Sequence, residues 1–581
     1  MNATIYKNGF TILLLLLEPL LAPAQGFIIP SGTYVIANNG NIVTTANWVN
    51  NGLFTHNGGT LVFAGTTQTL GGTSSTLFNN LTIAAGSKTT IVSSGQQVRG
   101  IVQSNDTLNA NGNLTLISTA SQTALIDGSG TGEVVGNLTM QRYLPSGFGY
   151  KYFSSPFQSD TVGDFSREIN LGTSFPDVYS YNENLASAGW VTYTTSSSLL
   201  IPLAGYAVNF GTSSTPLTVS MTGVVSNHTI SSTLFNHNNT YTLGFNLAGN
   251  PYPSPINWDA AGGWTKTNID NAVYYFSAGT TNQYTGTYSS YVNGVSSNGI
   301  AGNMIAAMQG FFVHVSNGTY PVTGNLAVNN TARNTNPSII FFGIPFPGGP
   351  PPLLRLSAGF ADEDTLSDPA VFYFKKEASD AFNKQLDALK LMNTHPGVPN
   401  LFGVSKDQQN LSIYAIPITF DTLKTIPLGL NTAKDGWITF KARDIENMPD
   451  ALYTYLTDTR TGINQDLKLN PSYRLYLTAG EYAGRFFLNF STKPLSSTYA
   501  SGNLLFSAYS SAGRLYINSH LGTGEKADLA VFNMLGQAVW RQEIVGSGNN
   551  QINAGFTPGV YVVNLRSPHN TQSVKVFIGH Q

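Results

Sequence analysis

Phe78-Asn79-Asn80-Leu81-Thr82-Ile83 decides the fold of the first quarter of this chain. Two asparagines turn the backbone, then Leu81 and Ile83 point to one side of a very short strand and Thr82 to the other. The unit recurs on both sides, at Leu61-Val62-Phe63, Ile91-Val92, Ile101-Val102 and Leu114-Thr115-Leu116. Corners of the same type separate them: Asn50-Asn51-Gly52, Asn57-Gly58-Gly59, Gly71-Gly72 and Asn111-Gly112-Asn113. Strands this short cannot bury a face alone, so they must stack on neighbours. Residues 26–140 therefore read as a right-handed β-solenoid-like repeat region. Because the period is not strict, a small β-sandwich is the alternative.

Composition carries the all-β reading to the rest of the chain. Its 581 residues suggest roughly four domains at about 150 residues each. Cys is absent, which excludes a disulfide framework, a thiol nucleophile and a Cys-based zinc site. Charged residues are 10%, against about 25% in ordinary globular proteins. Aromatics reach 12%, so the chain can build cores, and β-rich folding suits its Gly, Ser, Thr and Asn. Net charge is −2 with no Lys/Arg cluster, which excludes a nucleic-acid partner. No charged residue occurs between Glu183 and Asp259, nor between Asp270 and Arg333. Such a surface suits extracellular glycans or other proteins better than phosphates.

Residues 141–335 form a β-rich zone with strand signals that include Val178–Tyr181, Tyr241–Leu247 and Gly310–Val315. Residues 336–352, rich in Pro and Gly, read as a semi-extended linker. Charge density becomes ordinary at 353–493, a β-sandwich domain in which Ser379–Leu391 carries the one convincing helix signal. There Phe382, Leu386 and Leu389 share a face.

The two ends are addresses. Residues 1–24 read as a signal peptide, with Lys7, the apolar core Phe10–Leu17 and the cleavage pattern Ala22-Pro23-Ala24 before Gln25. Nothing after Gln25 reaches transmembrane length, so no spanning segment is expected in the mature chain. At the other end, residues 504–581 carry three ordered runs: Asn533-Met534-Leu535-Gly536-Gln537, Pro558-Gly559-Val560-Tyr561 and Lys575-Val576-Phe577. Each is a strand or a tight turn beside one. Together they resemble the C-terminal sorting domain of the type IX secretion system of Gram-negative bacteria. Where that family often opens with Tyr-Pro-Asn-Pro, this chain has Ala508-Tyr509-Ser510-Ser511. The resemblance implies an Ig-like β-sandwich module, the type IX secretion machinery as partner, and delivery across the outer membrane to the surface or medium. It implies no activity. Trp48-Val49-Asn50-Asn51-Gly52 and the deciding stretch also resemble repeats of adhesin-type bacterial surface proteins.

No catalytic motif stands out. The eight histidines are scattered, and no G-x-S-x-G elbow or phosphate loop occurs. Asp362 and Asp364, with Glu363 and Asp368, are the candidate donors for Ca²⁺, which takes six or more oxygens. Their spacing matches no calcium loop, and a solvated acidic loop is the favoured reading. Tyr284, Tyr288 and Tyr291 crowd one region and are candidate glycan contacts, because ring faces stack on sugars. Packing in and on strands is the favoured reading. The sequence thus points to an all-β, exported, non-enzymatic structural or adhesive protein without a cofactor. A secreted carbohydrate-binding or carbohydrate-degrading protein is the alternative.

Overall fold

Around the deciding stretch, 17 short strands between Phe27 and Leu144 wind into three parallel sheets. Ile42, Leu61, Leu81, Val102 and Ile126 align across one of them, so a coil returns every 19 to 24 residues. This is the solenoid, not the sandwich. Leu81 and Ile83 are fully buried while Thr82 is half-buried, as strand alternation requires. The corner asparagines couple each coil to the next. Asn80 Oδ1 accepts the Ile101 N–H at 2.8 Å, Asn47 Oδ1 that of Thr69 at 2.9 Å, and Asn51 Oδ1 that of Thr73 at 2.9 Å. Gly72 is required at its corner: its φ is +128°, and a Cβ would lie 2.0 Å from the Asn50 carbonyl oxygen. Trp48, fully buried, stacks on Phe27 at 4.5 Å and meets the edges of Phe54 and Phe78.

The computed structural model describes residues 4–7, 10–13, 26–165, 169–339, 351–360, 366–418, 423–495, 506–511, 514–519, 521–522, 524–546, 548–552, 555–568 and 571–578. The cleavage residues Ala22, Ala24 and Gln25, most of the linker, and Asp362 and Asp364 lie outside them. The backbone of Thr4–Lys7 runs antiparallel to Thr33–Ala37. Two compact units are present, Met1–Leu495 and Ser496–Gln581. No described helix is long and apolar enough to cross a membrane.

Within the first unit the solenoid runs directly into the β-rich zone. Its last strand, Leu138–Leu144, pairs antiparallel with Leu217–Gly223, which ends the parallel stack. Beyond it, a four-stranded sheet holds Tyr150–Phe153, Tyr206–Asn209, Val178–Tyr181 and Trp190–Thr192. A five-stranded sheet includes Phe245–Gly249, Gly310–His314, Val273–Ala278 and Gly286–Val292. Residues 353–491 form one eleven-stranded sheet. One hydrophobic core runs from Tyr152 and Phe312 to Phe372 and Phe490, so residues on both sides of the linker share it.

Two local expectations are corrected. Ser379–Leu391 is not a helix but a run of turns ending in the two-residue strand Ala388–Leu389. Asp387 wins there: its carboxylate accepts the N–H of Asn383 at 2.7 Å and of Ala415 at 2.6 Å, binding the segment to a neighbouring strand. Tertiary hydrogen bonds thereby override a helical period. Tyr241–Gly244 is likewise a turn, and the strand begins at Phe245.

The second unit is a β-sandwich. A three-stranded sheet (Phe506–Ser511, Arg514–Ser519, Gly548–Ile552) and a four-stranded one (Ala538–Val545, Lys526–Asn533, Gly559–Arg566, Thr571–Ile578) share one core. Leu515, Ile517, Leu529, Val531, Val563 and Leu565 in it are fully buried.

Candidate functional site

The three terminal runs, separate in sequence, meet at one end of the four-stranded sheet. Asn533 is opposite Tyr561, Tyr561 is opposite Val576, and Val560 is opposite Phe577. Asn533 also builds the turn: its Oδ1 accepts the N–H groups of Leu535 and Gln537, both at 3.0 Å, and its Nδ2 donates to Gln537 Oε1 at 2.9 Å. Gly536 takes the left-handed position at φ +80°. This leaves Met534 and Leu535 62% and 84% exposed. Phe577 and Val560 are exposed beside each other on neighbouring strands, while the Tyr561 hydroxyl donates to the Thr557 carbonyl at 2.7 Å just ahead of Pro558. Lys575, opposite Val562, continues the same strand. Met534, Leu535, Val560 and Phe577 are thus exposed apolar side chains of this module.

The body carries a second site, a cleft made of two hollows of about 470 and 250 Å³ that share Trp190, Tyr288 and Thr394. Strand pairing places its rings. Tyr181 is opposite Trp190, and their rings meet edge-on at 5.0 Å. Phe276 is opposite Tyr288 at 5.2 Å. The Tyr152 and Tyr288 hydroxyls are 2.8 Å apart. From beyond the linker, Asn393 Oδ1 accepts the Tyr288 N–H at 2.8 Å and Thr394 Oγ1 the Gly286 N–H at 2.9 Å, which sets the wall. Burial pushes the Tyr288 phenol up to about 12, against the pull of its Tyr152 hydrogen bond, and raises those of Tyr150, Tyr152 and Tyr181 as well. These hydroxyls therefore stay protonated at any physiological pH.

The candidate tyrosines separate. Tyr284 is 55% exposed at the mouth of the smaller hollow, and Tyr288 is half-buried between the two. Tyr291 is corrected: it is buried, its hydroxyl donates to Asp259 Oδ2, and neither ring face is open to a ligand. Sequence reasoning missed Trp190, Tyr150, Tyr152 and Tyr179, and the segments 389–394 and 408–410 that complete the cleft. No periodicity could join residues more than 200 positions apart.

His314 lines the larger hollow from below, with Nδ1 2.6 Å from Asp270 Oδ2, and Ser316 Oγ donates to Asp270 Oδ1 at 2.6 Å. All three are buried. The hydroxyl bonds the carboxylate and not the imidazole, so His314 does not activate it as a nucleophile. A separate hollow holds Lys266, whose ammonium sits 3.6 Å from the centre of the Trp258 ring and donates to the Trp258 carbonyl and to Asn271 Oδ1. Burial pushes this amine down to about 7, with Asp259 opposing. Among the described residues no group of three or more His, Asp or Glu is placed to hold a metal ion.

Comparison with known proteins agrees with this division. Residues 33–490 match the family described as Domain of unknown function (DUF8693). Residues 511–579 match the secretion system C-terminal sorting domain. The tail is thus a type IX sorting domain, and it directs the protein across the outer membrane to the cell surface or the extracellular space. No curated protein matches. Among solved structures, the BSP domain of a biofilm associated protein is similar at 6% identity over 76% of this chain and 92% of that one, with a TM-score of 0.16. E. coli alpha-2-macroglobulin is similar at 7% identity over 77% and 39%, with a TM-score of 0.10. Neither score supports an argument about the fold.

Proposed function

From the premise that this chain belongs to the DUF8693 family and ends in a type IX sorting domain, we propose that it is a non-enzymatic structural and adhesive protein. It acts outside the cell, and its body presents a ligand cleft while its tail is the export address. One observation supports this most. The cleft is lined by rings and carboxamides, and among the described residues no Asp or Glu lines either hollow. Glycoside hydrolysis needs two carboxylates facing each other about 5–10 Å apart. A wall without them suits binding. The solenoid adds a rigid, hydrogen-bonded spacer on which such a site can be carried. No cofactor enters this reading.

The test is adhesion of cells that lack the chain, to each other and to surfaces, together with turnover assays of the purified protein. Reduced adhesion and no glycosidase or peptidase turnover on broad substrate panels are expected, unchanged by a chelator. Robust turnover that disappears on Asp362→Asn or Asp364→Asn would replace this reading with a hydrolase.

A further inference from the structure

We infer that the cleft binds an uncharged oligosaccharide, stacked on Trp190 and Tyr284 and hydrogen-bonded by the carboxamides of Asn238 and Gln408. The biological use of this ligand rests on the adhesive reading above; the chemistry rests on the cleft.

Three observations carry it. First, among the described residues the cleft has no uncompensated charge. Lys390, which lines it, is buried and paired with Asp368 at 2.5 Å, and His314 is paired with Asp270. An acidic sugar would lose its hydration there without gaining a counterion. Second, rings and polar groups share the wall. A pyranose offers a C–H face to each ring and hydroxyls at its rim to each carboxamide and phenol. An aliphatic chain would leave those polar groups unpaired. Two hollows joined at Trp190 call for more than one sugar unit, and each lies in or near the size range of small-ligand pockets, about 300–1,000 Å³. Third, three residues of the rim adopt the left-handed backbone conformation: Asn238 (φ +58°), Leu243 (φ +49°) and Gln408 (φ +63°). Leu243 is 51% exposed, so burial does not explain its position. Strained backbone conformations cluster where a ligand is held.

The exported full-length protein should be applied to an array of neutral, uronate-containing, sialylated and sulfated glycans and of peptides. The best neutral binder is then titrated calorimetrically. We expect neutral glycans to bind, Tyr284→Ala to weaken binding about tenfold, Trp190→Ala to weaken it further, and Tyr34→Ala, an exposed tyrosine of the solenoid, to change nothing. Trp190 packs on other rings, so melting curves accompany each variant; if Trp190→Ala unfolds, Tyr284→Ala decides. Binding confined to acidic glycans or to peptides, no glycan bound at all, or full affinity in a folded Tyr284→Ala would overturn the inference. If the array is negative while deletion of the chain still abolishes adhesion, the ligand class fails and the adhesive reading stands. Neutral glycan binding without any adhesion defect gives the reverse.

Discussion

The Tyr473 hydroxyl donates a 3.0 Å hydrogen bond to the Asp458 carboxylate, and so fastens the two ends of one sheet to each other. Their strands, Ser472–Leu477 and Tyr453–Asp458, stand near opposite ends of the eleven-stranded order. Phe440 and Phe486, also from strands that are not neighbours, meet at 4.8 Å inside. The sheet therefore closes over its own core. Arg485 completes the fastening with bonds of 2.9 and 2.8 Å to the two oxygens of a fully buried Asp458.

Asp458→Ala removes both carboxylate bonds of the Arg485 guanidinium, which lies beside the Tyr482 and Phe486 rings. Breaking one partner of a buried pair costs about 3–5 kcal/mol. The denaturant midpoint should fall accordingly, and a loss under about 1 kcal/mol would show that the sheet closes without this bond. Burial alone raises the Asp458 carboxyl, but the Arg485 and Tyr473 hydrogen bonds bring it below the ordinary value. Its contribution is complete above about pH 4, the unfolded value, and is lost as pH falls through the lower folded one. Acid melts of wild type and Asp458→Asn should converge at the lowest pH.

Asp160 titrates in the opposite sense. It is buried; among the described residues only Ser155 Oγ donates to its carboxylate (2.6 Å), and its Oδ1 has no partner. Burial lifts its pKa to about 7. The protonated form is favoured on folding, so its stabilisation is full below about pH 4 and lost as pH rises through about 7. Thermal midpoints should decline over that range, and Asp160→Asn should flatten the decline. An unchanged slope in that variant would count against the assignment.

Two solenoid variants separate corner from core. Asn80→Ala removes one bond between coils and should cost about 1 kcal/mol. Trp48→Ala leaves a cavity under Phe27, Phe54 and Phe78 and should cost about 3–5 kcal/mol. Equal costs, by denaturant unfolding, would mean that a corner bond holds the coils together as strongly as the core does.

Export can be tested at the turn and at the whole module. Deleting residues 527–581 should trap the protein in the periplasm, as fractionation and immunoblotting would show. Leu535→Asp tests the exposed patch alone, because Leu535 is 84% exposed and supports no core. We expect reduced export with an unchanged melting curve. Normal appearance in the medium after the deletion would remove the address interpretation.

Much of the strand content was legible in sequence. Leu114–Leu116 and Val178–Tyr181 are strands with the expected bounds, because alternation and turn residues are local signals. The same signals misled at Ser379–Leu391, where an apolar period of helical spacing was overruled by Asp387 bonding to a strand 28 residues away. They were also silent on the cleft. Tyr284 and Tyr288 were visible as a crowd of rings, but Trp190 and Thr394 joined them only through packing.

By itself, then, the sequence settled what is periodic or consecutive: short strands with Asn and Gly corners, a tail of three ordered runs, and a body almost free of charge between Glu183 and Arg333. Each depends on neighbours within one coil or one turn, where backbone geometry dictates the outcome. Tertiary structure alone decided which rings share a wall, that Tyr291 is sealed away, and that Tyr473 reaches Asp458. Those relations come from a hydrophobic core that gathers side chains by shape and burial, whatever their distance along the chain.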